Sequence, residues 1–121
     1  MKLSKTKIKI NAIEIGHCFL YYNKSIPQFE ANKLKTVGDW FLYYNESLIH
    51  FEAKNLETVG RSFLFYNKSL TYFEANKLKT VGDCFLYYNK SITHFKANKL
   101  KNVGYGFLGG HSKRKELCRL L

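Results

Sequence analysis

The groups able to do chemistry in this chain are few and dispersed: His17, His50, His94 and His111, Cys18, Cys84 and Cys118, and nine Asp and Glu residues. A nucleophile and its base must approach to about 2.6–3.2 Å, and a metal needs its ligands clustered. The spacing here suits neither, so the sequence predicts a non-enzymatic protein with no catalytic residue, no metal site and no cofactor. The cysteines read as free thiols rather than a disulfide framework. One modification motif recurs: Asn23, Asn45, Asn67 and Asn89 each begin an N-x-S sequence, spelled NKS, NES, NKS and NKS. These are either glycan acceptors or an inward column of amides that satisfies backbone groups at a bend. The second reading is preferred, because no secretory leader is visible to bring the sequons to the glycosylation machinery.

What must position these residues is a repeat. Phe63–Gly82 reads FLFYNKSLTYFEANKLKTVG and Phe85–Gly104 reads FLYYNKSITHFKANKLKNVG. Ile-Gly or Val-Gly pairs end at Gly16, Gly38, Gly60, Gly82 and Gly104, which sets a constant 22-residue unit. A 45% hydrophobic, 17% aromatic chain is too apolar to stay disordered, and 121 residues hold one domain. Within a unit, Phe73 and Ala75 alternate with Thr71, Tyr72 and Glu74, which is the period of a short strand with one buried face. The recurring Gly suits a turn that needs positive φ or close backbone approach, and the Asn and Ser of YNxS suit a second bend. One strand and two bends per unit make a coil, and coils bury their apolar faces by stacking.

The pattern L-x-x-F-x-A-x-x-L-x-x-V-G, carried by Leu70, Phe73, Ala75, Leu78, Val81 and Gly82 and followed by Phe85, Leu86 and Asn89, resembles the leucine-rich repeats, in particular the BspA-like (Treponema-type) class with its L-x-x-I-x-I-P-x-x-V-x-x-I-G-x-x-A-F-x-x-C-x-x unit. The likeness spans Ile8 to about Leu108; the chain lacks the family's Pro, has one residue fewer before the V position and has Asn for Cys. The resemblance implies an α/β-type repeat solenoid: a right-handed coil with a short parallel β-sheet on a concave face and irregular or short helical turns on the convex face. It also implies a non-catalytic role in protein–protein interaction, adhesion included. Cys18 and Cys84 would then lie on the convex side, away from His50 and His94. A rival fold exists, because 22 is twice 11 and amphipathic helices also repeat at that length. The Gly of each unit and its YN pairs and β-favouring aromatics argue against it.

On a solenoid, outward strand positions form columns. Pro27, Ile49, Thr71 and Thr93 make one; Gln28, His50, Tyr72 and His94 the next; Glu30, Glu52, Glu74 and Lys96 the third; and Lys33, Asn55, Lys77 and Lys99 begin just past the strand. The candidate binding face is Gln28, Glu30, His50, Glu52, Tyr72, Glu74, His94 and Lys96, with a polar protein or peptide as partner. Stacked carboxylates repel, and Lys33 and Lys77 are expected beside Glu30 and Glu74 to offset this. The FLYYN blocks should place Phe and Leu inward, leaving the second Tyr of each (Tyr22, Tyr44, Tyr66, Tyr88) half exposed.

Twenty Lys and Arg against nine Asp and Glu give +11, so weak, sequence-blind binding to nucleic acid or an anionic surface is the alternative function; a fragment of a larger repeat protein is a second alternative. The basic character is placed partly at the ends, where Lys2, Lys5, Lys7, Lys9 and Lys113, Arg114, Lys115, Arg119 lie. The expected layout is a basic cap over 1–7, the solenoid over 8–108 and a basic tail or degenerate cap over 109–121. Ile8, Ile10, Ile13 and Ile15 imitate a unit with one residue deleted. No membrane span is expected, the missing leader favours the cytoplasm unless the N-terminus is incomplete, and uncapped ends would allow self-association.

Overall fold

The computed structural model describes residues 7–20, 22 and 25–111. The expected cap and tail fall mostly outside these, as do Asn23 and Cys118. Ten short strands follow one another: β1 (Lys7–Lys9), β2 (Glu14–Ile15), β3 (Gln28–Glu30), β4 (Thr36–Val37), β5 (His50–Glu52), β6 (Thr58–Val59), β7 (Tyr72–Glu74), β8 (Thr80–Val81), β9 (His94–Lys96) and β10 (Asn102–Val103). They form two parallel five-stranded sheets, ordered β1-β3-β5-β7-β9 and β10-β8-β6-β4-β2. Each coil gives one strand to each sheet, and equivalent residues pair, as in Phe29↔Phe51↔Phe73↔Phe95 and Val37↔Val59↔Val81. The molecule is a parallel β-solenoid with a 22-residue coil. The rival amphipathic helix is excluded, since no helix occurs among the described residues.

Apolar residues at matching places in successive coils are what hold this stack. Phe29, Phe51 and Phe73 are fully buried and stack face to face with centroids 5.4 Å apart. A second column, Phe41, Phe63, Phe85 and Phe107, stacks at 5.4–5.6 Å and meets the first edge-on, as between Phe51 and Phe63 at 5.4 Å and 82°. Such pairs add about 0.5–1.5 kcal/mol each beyond the area they bury. Leu34, Leu56, Leu78 and Ala31, Ala53, Ala75 fill the corner between the sheets.

The first coil shows how strictly the register is kept. β1 pairs with β3 one residue short of a full unit, Lys7↔Gln28, whereas β2 pairs with β4 at the full unit, Glu14↔Thr36. The single missing residue is absorbed in the corner between the strands, and both ladders survive.

Of the irregular or short helical turns expected on the third side of each coil, no helical turn occurs among the described residues. Trp40, Leu42 and Tyr44 have φ of 61°, 54° and 60°, and the same alternate positions are positive in the neighbouring coils: Ser62, Leu64, Tyr66 and Cys84, Leu86, Tyr88. A helix cannot form with every second residue left-handed. The amides bond outward instead: Trp40 N donates to Arg61 O and Tyr44 N to Phe65 O in the following coil, while Leu42 N donates to Phe19 O in the preceding one, all at 2.9 Å. Left-handed backbone costs a non-glycine residue about 1–3 kcal/mol; the inter-coil bonds and the buried Phe and Leu side chains offset it. As expected, Phe41, Leu42, Phe63, Leu64, Phe85 and Leu86 point inward.

The recurring Gly does not supply positive φ. Its role is close approach: a Cβ on Gly82 would lie 2.7 Å from both Arg61 N and Gly60 C of the coil below. The Asn column is inward as expected, with Asn45, Asn67 and Asn89 fully buried. Each Nδ2 donates to the carbonyl of a Leu in the preceding coil: Asn45 to Leu20 at 2.9 Å, Asn67 to Leu42 at 2.9 Å and Asn89 to Leu64 at 2.7 Å. The amide nitrogen that a glycan would occupy is thus committed to the fold.

Two stability outcomes follow. Gly82→Ala should cost at least roughly 1–3 kcal/mol through backbone overlap, read as a lowered urea midpoint. Asn67→Ala leaves the Leu42 carbonyl without its buried donor and should cost about 1–3 kcal/mol; an unchanged midpoint would show that the ladder carries no stability.

Candidate functional site

Strands three residues long expose two side chains each, and the parallel register turns these into two straight columns on the outer side of the first sheet. The inner column is Gln28, His50, Tyr72 and His94, the outer one Glu30, Glu52, Glu74 and Lys96, as read from the sequence. The three rings lie flat on one another: His50 and Tyr72 centroids are 4.2 Å apart at 5°, Tyr72 and His94 4.3 Å at 5°. The histidines are separated by the tyrosine ring, which prevents them from acting together on one substrate atom.

Lysines on Glu30 and Glu52 and short polar contacts make the carboxylate column tolerable. Glu30 is paired by Lys7 Nζ at 3.2 Å and Lys9 Nζ at 3.6 Å, and the Lys7 hydrogen bond holds its carboxyl below the usual range. Asn32 Nδ2 bridges two coils, donating to Glu30 Oε2 at 3.3 Å and Glu52 Oε2 at 3.1 Å. Glu52 also meets Lys54 Nζ and His50 Nε2, each at 3.7 Å. Glu74 accepts from the Tyr72 hydroxyl and from Asn76 Nδ2, the latter at 3.4 Å. The expectation that Lys33 and Lys77 offset Glu30 and Glu74 is corrected. Both lysines are exposed, and among the described residues neither forms an ion pair. Each is the immediate neighbour of a leucine buried in the corner, Leu34 or Leu78, and so points away from the core; Lys33 borders the same shallow pocket as Glu30 without coming to ion-pair distance.

Tyr72 is the most perturbed group of the face. Its hydrogen bond to Glu74, burial and the nearby carboxylates push its hydroxyl up to about 12. The face thus presents a neutral phenol clamped by a carboxylate, between two imidazoles and beside a row of acids. It can accept and donate hydrogen bonds, and its ring column ends at His94, on the last strand of the sheet among the described residues.

Other groups of interest lie apart. Cys18 is exposed and Cys84 partly buried, both free, on the positive-φ side of the coil. His17 Nδ1 accepts from Asp39 N at 2.9 Å, and His111 is buried against Ile92 O at 3.2 Å. No cluster of three His, Cys, Asp or Glu able to hold a metal occurs among the described residues, and no described helix is long and apolar enough to cross a membrane. A further column, anticipated only in its exposure, is Tyr22, Tyr44, Tyr66 and Tyr88, with successive centroids 4.8, 4.4 and 5.1 Å apart. Tyr22, Tyr44 and Tyr66 stack on one another, whereas Tyr88 is tilted by 50° to Tyr66.

The sequence matches no known protein family, and no curated protein or solved structure matches it.

Glu74→Gln should return the Tyr72 hydroxyl toward an ordinary tyrosine value near 10, seen in the ultraviolet phenolate titration. The sign for stability follows from the raised value. The native state keeps a proton that the unfolded chain loses above about pH 10, so the contribution is complete below that pH and lost as the pH rises toward 12. Wild type should therefore lose more stability than Glu74→Gln over that interval.

Proposed function

We propose that this chain is a non-catalytic repeat scaffold of the leucine-rich type, BspA-like in its 22-residue unit, which binds a polar protein or peptide partner through Gln28, Glu30, His50, Glu52, Tyr72, Glu74, His94 and Lys96. What supports this most is the His50–Tyr72–His94 ring stack at 4.2–4.3 Å, half-buried and rigid, lying directly beside the Glu52 and Glu74 carboxylates. Recognition surfaces concentrate their energy in aromatic anchors of limited rotamer freedom surrounded by polar groups. Here the anchors are already ordered by stacking, so binding orders little further side-chain motion. Glu74 takes no ion pair among the described residues, and a guanidinium or ammonium of the partner would find its carboxylate beside the Tyr72 ring. The unit's Leu, Phe and Val positions and its period favour the leucine-rich assignment; the left-handed third side distinguishes this coil from the helical-turned form of that class.

The reading is tested by selecting from a random peptide display library on the immobilised protein and measuring enriched peptides by calorimetry. Peptides should bind wild type and lose at least about tenfold on Tyr72→Ala/His94→Ala, the scale of a hot-spot truncation above about 1.4 kcal/mol. Failure of any peptide to enrich, or equal binding by the variant, would remove the strand face as the site.

A further inference from the structure

The lysines that the sequence places just past the strand belong to a larger feature. The triplets Lys33-Leu34-Lys35, Lys77-Leu78-Lys79 and Lys99-Leu100-Lys101 sit at the same corner of their coils, between the two sheets. Leu34, Leu78 and Leu100 are buried, which forces the lysine on either side outward; all six lysines are exposed. Backbone bonds fix their spacing: Glu57 N to Lys35 O at 2.9 Å, Lys79 N to Glu57 O at 2.9 Å and Lys101 N to Lys79 O at 3.0 Å. The result is two parallel columns, Lys33, Asn55, Lys77, Lys99 and Lys35, Glu57, Lys79, Lys101, running over four coils, about 14 Å at strand spacing.

Two observations make this more than a solvated edge. None of the six ammonium groups takes part in an ion pair or side-chain hydrogen bond among the described residues, whereas Glu30 and Glu52 on the adjoining sheet are each paired with lysine. The corner also retains a repulsion it has no steric need for. Lys77 over Lys99 and Lys79 over Lys101 bring like charges into register, which is destabilising, yet Glu57 shows that the column accepts a carboxylate.

We propose that this corner is a docking strip for the phosphodiester backbone of double-stranded nucleic acid, separate from the strand face and independent of whether that face binds a peptide. The strip is straight, cationic and without protruding apolar side chains, since its leucines are turned inward. It therefore suits a linear polyanion that carries one charge per about 1.7 Å of axis, and it offers no group to insert into a lipid layer. The strip itself is made of Lys, Asn and Glu side chains over inward leucines and carries no aromatic ring, so no base stacks on it and binding is blind to sequence.

The test is fluorescence anisotropy with a labelled 20-base-pair DNA duplex over 20–200 mM KCl, using the full chain. Wild type should bind at low salt with a slope of log K against log salt as steep as about −5 if all six lysines engage. Lys77→Gln/Lys79→Gln/Lys99→Gln should flatten the slope by about 3 and weaken binding at least tenfold at 50 mM, while Arg61→Gln/Lys68→Gln/Lys90→Gln, with the same net charge, should change it little. Glu57→Lys, which completes the second column, should tighten binding and steepen the slope by about 1, a gain that loss of folding cannot imitate. Equal losses in the two triple variants would reduce the effect to net charge and overturn the strip. Absent binding at 20 mM KCl would overturn it as well. Preferential binding to vesicles of phosphatidylserine and phosphatidylcholine mixed 3:7, abolished by the same corner triple, would overturn nucleic acid as the occupant.

Discussion

Parallel strands in register lie about 4.8 Å apart, and in this molecule every coil must approach the next to that distance on all sides at once. The backbone passes Gly over Gly so closely that a Cβ on Gly82 would fall 2.7 Å from the coil below. With the coils locked together there, each residue type is delivered to the same place in the next coil. Phenylalanines stack into two columns, valines into a third, and buried asparagines each reach the carbonyl of a leucine in the coil before. A constant period, here 22 residues, is what in-register stacking demands of the sequence, and the first coil, which loses one residue in a corner but keeps both strand ladders, shows where the demand can be relaxed.

Stacking concentrates whatever the unit exposes. A glutamate repeated three times becomes a carboxylate column, and it persists because Lys7 and Lys9 pair with one end and asparagine, lysine and tyrosine side chains bind the other oxygens. A histidine or tyrosine repeated on the neighbouring position becomes a rigid ring stack. Lysines repeated at the corner become a strip interrupted by a single carboxylate, Glu57. The solenoid thus sets an acidic, aromatic surface next to a cationic edge within one sheet width.

The repeat, the strand over Phe73 and Ala75, the inward Phe, Leu and Asn, and the membership of the outward columns are all legible in the sequence, because each rests on local alternation multiplied by an integer period. Two features escape that reasoning. The resemblance implies irregular or short helical turns on the third side, but Trp40, Leu42 and Tyr44 alternate into left-handed backbone. Nothing local favours this in a Trp, Leu or Tyr. Proximity in sequence likewise points to the wrong partners for the carboxylates, since Lys7 and Lys9 reach Glu30 from the coil below it, while the nearby Lys33 forms no ion pair among the described residues. The KLK triplets are the available signal: a buried Leu at the centre turns both lysines away from the sheet.

By itself, then, the sequence determined that the chain stacks on itself with a 22-residue period and which side chains face in, since periodicity and hydrophobicity are properties of the unit. Only the tertiary structure decided the backbone of the FLYYN segment, the glycine's role and the pairing of charges. Each of these depends on what the adjacent coil presents: the Arg61 carbonyl for the Trp40 amide, a backbone 2.7 Å beneath Gly82, an ammonium below Glu30. A strained local conformation is chosen when inter-coil hydrogen bonds and burial outweigh its cost, and that balance exists only once the coils are stacked.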